Sequence, residues 1–123
     1  MTNMTDEEAD AAHTAGADGR WTTPHPLPTP EVDELLTCLI EEMLEVGQRV
    51  CKIQRFGAQQ CQPGHTQNNI QRMSREFGQL LCVWDRLTDA GYVDLPSIEL
   101  GYQEKGPKLD KYLQFQPGDI RNG

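Results

Sequence analysis

Residues 30 to 57 read PEVDELLTCLIEEMLEVGQRVCKIQRFG, and the periodicity of this stretch decides the fold. Thr29 offers a capping hydroxyl, and Pro30 suits a first helical position, where its missing N–H is not needed. Glu31 and Asp33 place negative charge at the positive end of the helix dipole. At about 100° per residue, Leu35, Leu36, Leu39, Ile40, Met43, Val46, Val50 and Ile53 fall on one face. Gly57, free to take a left-handed conformation, stops the run. A long amphipathic helix is therefore predicted up to residue 56.

Residues 57 to 68 are polar and contain the turn signal Pro63-Gly64. A second amphipathic helix is predicted over 69 to 90, closed by Gly91, with Ile70, Met73, Phe77, Leu80, Leu81, Trp84 and Leu87 on its apolar face. A third, shorter helix is expected after Pro96 with Ser97 as its cap, and a further turn or two from Pro107 through Leu109, Tyr112 and Leu113. No strand signal or internal repeat is present. The fold class is all-α: a helical bundle built on two long antiparallel helices with shorter C-terminal helices. Residues 1 to 30 form an acidic, then Pro-rich arm whose composition supports no core, with Trp21 as a possible anchor point. Residues 31 to 115 form the helical domain and 116 to 123 a tail.

The 123 residues include 19 Asp and Glu against 11 Lys and Arg, a net charge of −8. This balance disfavours duplex DNA and anionic membrane surfaces as partners. No apolar run reaches the length of a membrane span, and the acidic N-terminus does not resemble a secretory signal, so a cytoplasmic location is expected. Cys38, Cys51, Cys61 and Cys82 form no C-x-x-C pair, and no two histidines lie three to five residues apart. Reduced thiols are expected rather than a structural zinc site or a disulfide.

The acidic residues are not spread evenly. On the first helix Glu42 lies on the shoulder of the apolar face, Glu45 one step outside it, and Glu41 further toward solvent. On the second helix Glu76 falls within the apolar stripe and Gln79 at its edge. Packing the helices together brings Glu42, Glu45 and Glu76 into one inward-facing group. A carboxylate on a buried face is costly unless paired, protonated or bound to a cation. Two readings fit: a site for a hard divalent cation with oxygen ligands, or a solvated acidic face with Glu76 paired to Arg72 or Arg75.

At these residues the chain resembles the MazG-like all-α nucleoside triphosphate pyrophosphohydrolases. The resemblance rests on Glu42-Met43-Leu44-Glu45, preceded by Glu41, and on Glu76-Phe77-Gly78-Gln79 followed by Leu80-Leu81. These segments are similar to the family's Glu-x-x-Glu and Glu-x-x-Asp motifs. Arg55-Phe56-Gly57 and the stretch from Glu104-Lys105 to Lys111-Tyr112-Leu113 are similar to small phage-borne members, which places the chain in a host cytoplasm if it is phage-encoded. The likeness spans residues 32 to 115. It implies hydrolysis of an NTP or dNTP to a nucleoside monophosphate and pyrophosphate, with Mg²⁺ as cofactor and Mn²⁺ as a possible substitute. Glu42, Glu45 and Glu76 would then be the catalytic and metal-binding residues, and the assembly a homodimer or homotetramer.

Two features depart from that family pattern. Residues 46 to 75 make a slightly long separation between the motif halves, which the polar loop accommodates. Gln79 stands where the family has Asp; its amide oxygen can ligate a metal but carries no charge. The alternative is therefore a relative that binds nucleotides with weak or no turnover. Glu41 is a further candidate ligand, and Lys52, Lys105 and Lys108 are candidates for phosphate contact. Trp84 suits the core better than a base-stacking role, and His65 is read as an ordinary loop residue.

Overall fold

A computed structural model describes residues 25 to 115. Residues 1 to 24, including Trp21 and most of the expected arm, and the tail over 116 to 123 lie outside the described residues. The described chain is all-α: helix α1 spans Pro30–Phe56, α2 Asn69–Asp89 and α3 Leu95–Tyr112. No helix among these is long and apolar enough to cross a membrane.

The termini of α1 follow the sequence expectation. The Thr29 side chain accepts from the Val32 N–H, and the Gly57 N–H donates to the Ile53 carbonyl at 2.8 Å. Gly57 sits at φ 93°, a conformation strained for any residue with a Cβ. The connection to α2 is tied at several points. Gln62 to His65 form a turn in which the His65 N–H donates to the Gln62 carbonyl. Pro63 and Gly64 are its central residues, and Gly64 at φ 82° matches what a type II turn requires. Asn69, only 5% exposed, donates from Nδ2 to the Gly57 carbonyl and from its backbone to the Gln60 carbonyl. Asn68 caps α2 in a reciprocal box: its Oδ1 accepts from the Gln71 N–H, and its own N–H donates to Gln71 Oε1. The reversal holds α1 and α2 as an antiparallel hairpin in fixed register.

The two helices pack along a seam with three- and four-residue steps. Shielded from solvent on α1 are Val32, Leu35, Leu39, Glu42, Val46, Arg49 and Ile53. On α2 the corresponding series is Asn69, Met73, Glu76, Leu80, Val83 and Leu87. The apolar face read from the sequence is wider than one neighbouring helix covers. Ile40, Met43, Leu44, Phe77 and Leu81 all remain exposed, Leu44 to 65%.

The C-terminal region departs from expectation. Instead of two short helices there is one, α3, which begins before Pro96. Asp94 caps it, accepting from the Ser97 N–H, so Ser97 is inside the helix rather than at its cap. Pro107 lies within α3 rather than at the start of a new helix. Its ring removes one hydrogen bond to the preceding turn, and because every residue of α3 is exposed, water can satisfy the carbonyl left over. Helix α3 packs against neither α1 nor α2. Within one chain, the expected bundle is thus a two-helix hairpin followed by a third helix that packs on neither arm.

Candidate metal centre

Seam geometry builds the acidic group. Glu42 and Glu76 occupy positions where a hairpin of this type ordinarily carries aliphatic side chains, and both are half-buried. Glu45, one turn beyond Glu42, is exposed at the rim. One carboxylate oxygen from each of the three lies within 4.8 Å of those of the other two. The Oε2 atoms of Glu42 and Glu76 are removed from solvent and accept no hydrogen bond. An orphaned buried polar atom costs roughly 1–3 kcal/mol, more when charged. Two in one place are the clearest departure from good packing along the seam.

The electrostatics agree. The Glu45 carboxyl is held above its ordinary value, first by the hydrogen bond that its protonated form donates to Glu76. The negative charges of Glu76 and Glu42 act in the same direction, followed by partial desolvation and the charge of Glu41. Each of these causes is another acid or the loss of water, and no basic group offsets them at Glu45. Arg72 does not serve that purpose: its guanidinium donates to Gln62 Oε1 in the loop. Of the two readings left open by periodicity, the ion pair of Glu76 with Arg72 or Arg75 is not formed. The donor set is all oxygen, compact and anionic, and it fits a hard divalent cation.

The other candidates fall in different places. Glu41 is exposed and contributes only its charge. Gln79, also exposed, lines a cavity of about 260 Å³ together with Glu76, Arg49, His65, Gln67, Arg72 and Arg75. Lys52 lines a neighbouring cavity of about 220 Å³ at the loop end, and its ammonium lies 5.5 Å from the centre of the Phe56 ring. Lys105 and Lys108 are on α3, so the single chain does not bring them to the carboxylates. Trp84 is half-buried on α2. In the sequence Arg72 and Arg75 read only as ion-pair partners of Glu76 and His65 as a loop residue, and Arg49 escapes notice. The available signal was spacing: Arg49 is seven residues after Glu42 and Arg72 four before Glu76, each on its glutamate's own face.

No family model matches this chain, and neither a curated protein nor a solved structure does.

Proposed function

We propose that the chain is a Mg²⁺-dependent nucleoside triphosphate pyrophosphohydrolase, with Glu42, Glu45 and Glu76 as the cation-binding residues. The observation that carries this reading is the pair of buried, unpartnered oxygens on Glu42 and Glu76, gathered with a third carboxylate, Glu45, whose pKa its acidic neighbours raise. The MazG-like resemblance of the same residues supplies the reaction. When bound, Mg²⁺ would neutralise phosphate charge and ease deprotonation of the attacking water. The water oxygen joins the α-phosphorus, the bridging oxygen leaves with the pyrophosphate, and the water's proton passes to solvent. The hairpin fixes Glu42 and Glu76 from two helices, and Glu45 at the rim would complete the set of carboxylates that hold the cation. Gln79 offers a neutral amide oxygen beside Glu76.

A second reading, a nucleotide-binding relative with weak turnover, is favoured by one specific observation. Only three carboxylates gather, and the side chain beside Glu76 on the cavity wall is the neutral Gln79. The assembly proposed is a homodimer or homotetramer, since one chain leaves Ile40, Met43, Val50, Ile70, Phe77 and Leu81 of its apolar face exposed. Contact of Lys105 and Lys108 with phosphate then requires α3 of a second copy.

Pyrophosphate release across the common NTPs and dNTPs, with Mg²⁺ or Mn²⁺, tests the proposal. The hydrolase predicts turnover that falls at least a hundredfold in Glu42→Gln and in Glu76→Gln, with helical content retained. The weak binder predicts metal-dependent nucleotide affinity without turnover. Near-normal release in both variants would remove the carboxylates from the chemistry.

A further inference from the structure

The chain carries −8 net charge, yet five of its 11 basic residues (Arg49, Lys52, Arg55, Arg72 and Arg75) crowd the loop end of the hairpin. Three of them, with His65, surround the cavity beside Glu76. Arg49 occupies a half-buried seam position. Arg72 is half-buried as well, and its bond to Gln62 fixes the guanidinium against a loop that the Pro63-Gly64 turn holds in shape. Arg75 stands at the exposed edge. None of the three pairs with a carboxylate among the described residues, although acids outnumber bases in the chain. Three like charges around one cavity outnumber the single carboxylate on its wall, Glu76, and repel one another; an anion with several oxygens would relieve that repulsion. Guanidinium forks suit phosphate oxygens in particular, because they donate two parallel hydrogen bonds in a plane.

Position narrows the ligand. Glu76 belongs both to the carboxylate group and to the cavity wall, so a molecule reaching from one to the other places its next atoms among the arginines. We propose that the cavity lined by Arg49, His65, Arg72 and Arg75 binds the terminal diphosphate of a nucleoside triphosphate, the portion that leaves as pyrophosphate. The assignment rests on reading the three carboxylates as the hydrolytic centre. It adds a direction to that reading: the substrate's phosphate tail points toward the hairpin loop. It also adds a requirement for more than one phosphate, since a nucleoside monophosphate that occupies the carboxylate end leaves the arginines unsatisfied.

The test measures binding of inorganic pyrophosphate by titration calorimetry, in EDTA and again with Mg²⁺. AMP and a short single-stranded oligodeoxynucleotide serve as comparison ligands. Wild type should bind pyrophosphate at least tenfold more tightly than AMP, and more weakly as salt is raised. Arg75→Gln, at an exposed position where folding is not at stake, should weaken pyrophosphate about tenfold, and Arg49→Gln with Arg75→Gln should weaken it further. AMP affinity should stay within about threefold of wild type. Glu42→Gln should leave binding in EDTA intact, which separates this cavity from the metal site. If that variant also turned over normally, the hydrolytic reading would fail while the pyrophosphate measurement still reported on the arginines. Pyrophosphate affinity unchanged in Arg75→Gln and in the double variant would overturn the assignment. So would an oligonucleotide that binds more tightly than pyrophosphate, or the absence of pyrophosphate binding under both conditions.

Discussion

Glu76 stands in a row that runs Asn69, Met73, Glu76, Leu80, Val83, Leu87, and a hairpin selected for stability alone would place an aliphatic residue there. Removing the charge should therefore help the metal-free fold. Glu42→Gln and Glu76→Gln are expected to melt at or above the wild-type temperature in EDTA, yet to lose the stabilisation that Mn²⁺ gives wild type. Parallel thermal melts with and without Mn²⁺ check both halves, and a full Mn²⁺ response in either variant would displace the site. Glu45 gives a pH signature. Because the fold raises its carboxyl above the ordinary 4.5, the folded chain holds this proton more tightly than the unfolded chain. That contribution favours folding at acidic pH and is lost as pH rises from the unfolded value through the folded one. Relative to Glu45→Gln, wild type should lose stability over that interval in EDTA. Saturating Mn²⁺ should abolish this loss in wild type, since a bound cation would favour the charged Glu45 carboxylate. At Gln79 the expectation concerns the cation alone: Gln79→Asp adds an anionic oxygen beside Glu76 and should lower the half-saturating Mg²⁺ concentration severalfold. An unchanged Mg²⁺ requirement would take Gln79 out of the metal shell.

At the scale of the element, the helices divide by how much tertiary structure each one carries. α2 begins at the reciprocal Asn68–Gln71 box, directly after the loop that sets the hairpin register, and its loss should be felt globally. Asn68→Ala is expected to cost about 1 kcal/mol, read as a lower midpoint in urea. Asp94→Ala removes a cap of the same kind from α3, but α3 packs against neither neighbour. In the isolated chain it should fray the helix, seen as faster amide exchange over 95 to 100, and leave the urea midpoint unchanged. The same contrast explains what the sequence could reveal. α1 and α2 are legible because Thr29, Gly57 and Gly91 bracket long apolar periodicities, so local signals and packing agree. α3 is not, because Pro96 and Pro107 read as breakers while Asp94 supplies the cap and solvent tolerates the missing hydrogen bond. The acidic group is legible for a related reason: a glutamate on an apolar stripe contradicts its surroundings. Arg49 leaves no such mark, since a long cationic side chain can bury its stem in a seam and keep its charge near the surface.

For the whole molecule, the deciding fact is how little the described chain buries. Val32 and Leu87 are its only buried apolar residues, while Ile40, Leu44, Phe77 and Leu81 on the hairpin and Leu95, Ile98 and Tyr112 on α3 all face solvent. A chain of this size needs a core to offset the conformational entropy lost on folding, and one seam between two helices supplies only part of one. The uncovered residues on the hairpin continue the amphipathic pattern of α1 and α2, so a second hairpin can complete a four-helix arrangement in the same ridges-and-grooves geometry. The carboxylate group would then lie within a larger packed body, with less water around Glu42 and Glu76. The prediction is that the protein is dimeric or tetrameric by light scattering and that its melting temperature rises with protein concentration, as mass action requires when folding and assembly are linked. Leu44→Lys introduces a charge at a position 65% exposed in the single chain, where a surface substitution would ordinarily be nearly neutral. If a second copy covers this face, Leu44→Lys should dissociate the assembly and lower the melting temperature. It should also weaken Mn²⁺ binding, although Leu44 contributes no ligand, because the carboxylates would lose their shield from solvent. A wild type that is monomeric over a wide dilution series, with Leu44→Lys melting at the same temperature, would show that the hairpin stands alone.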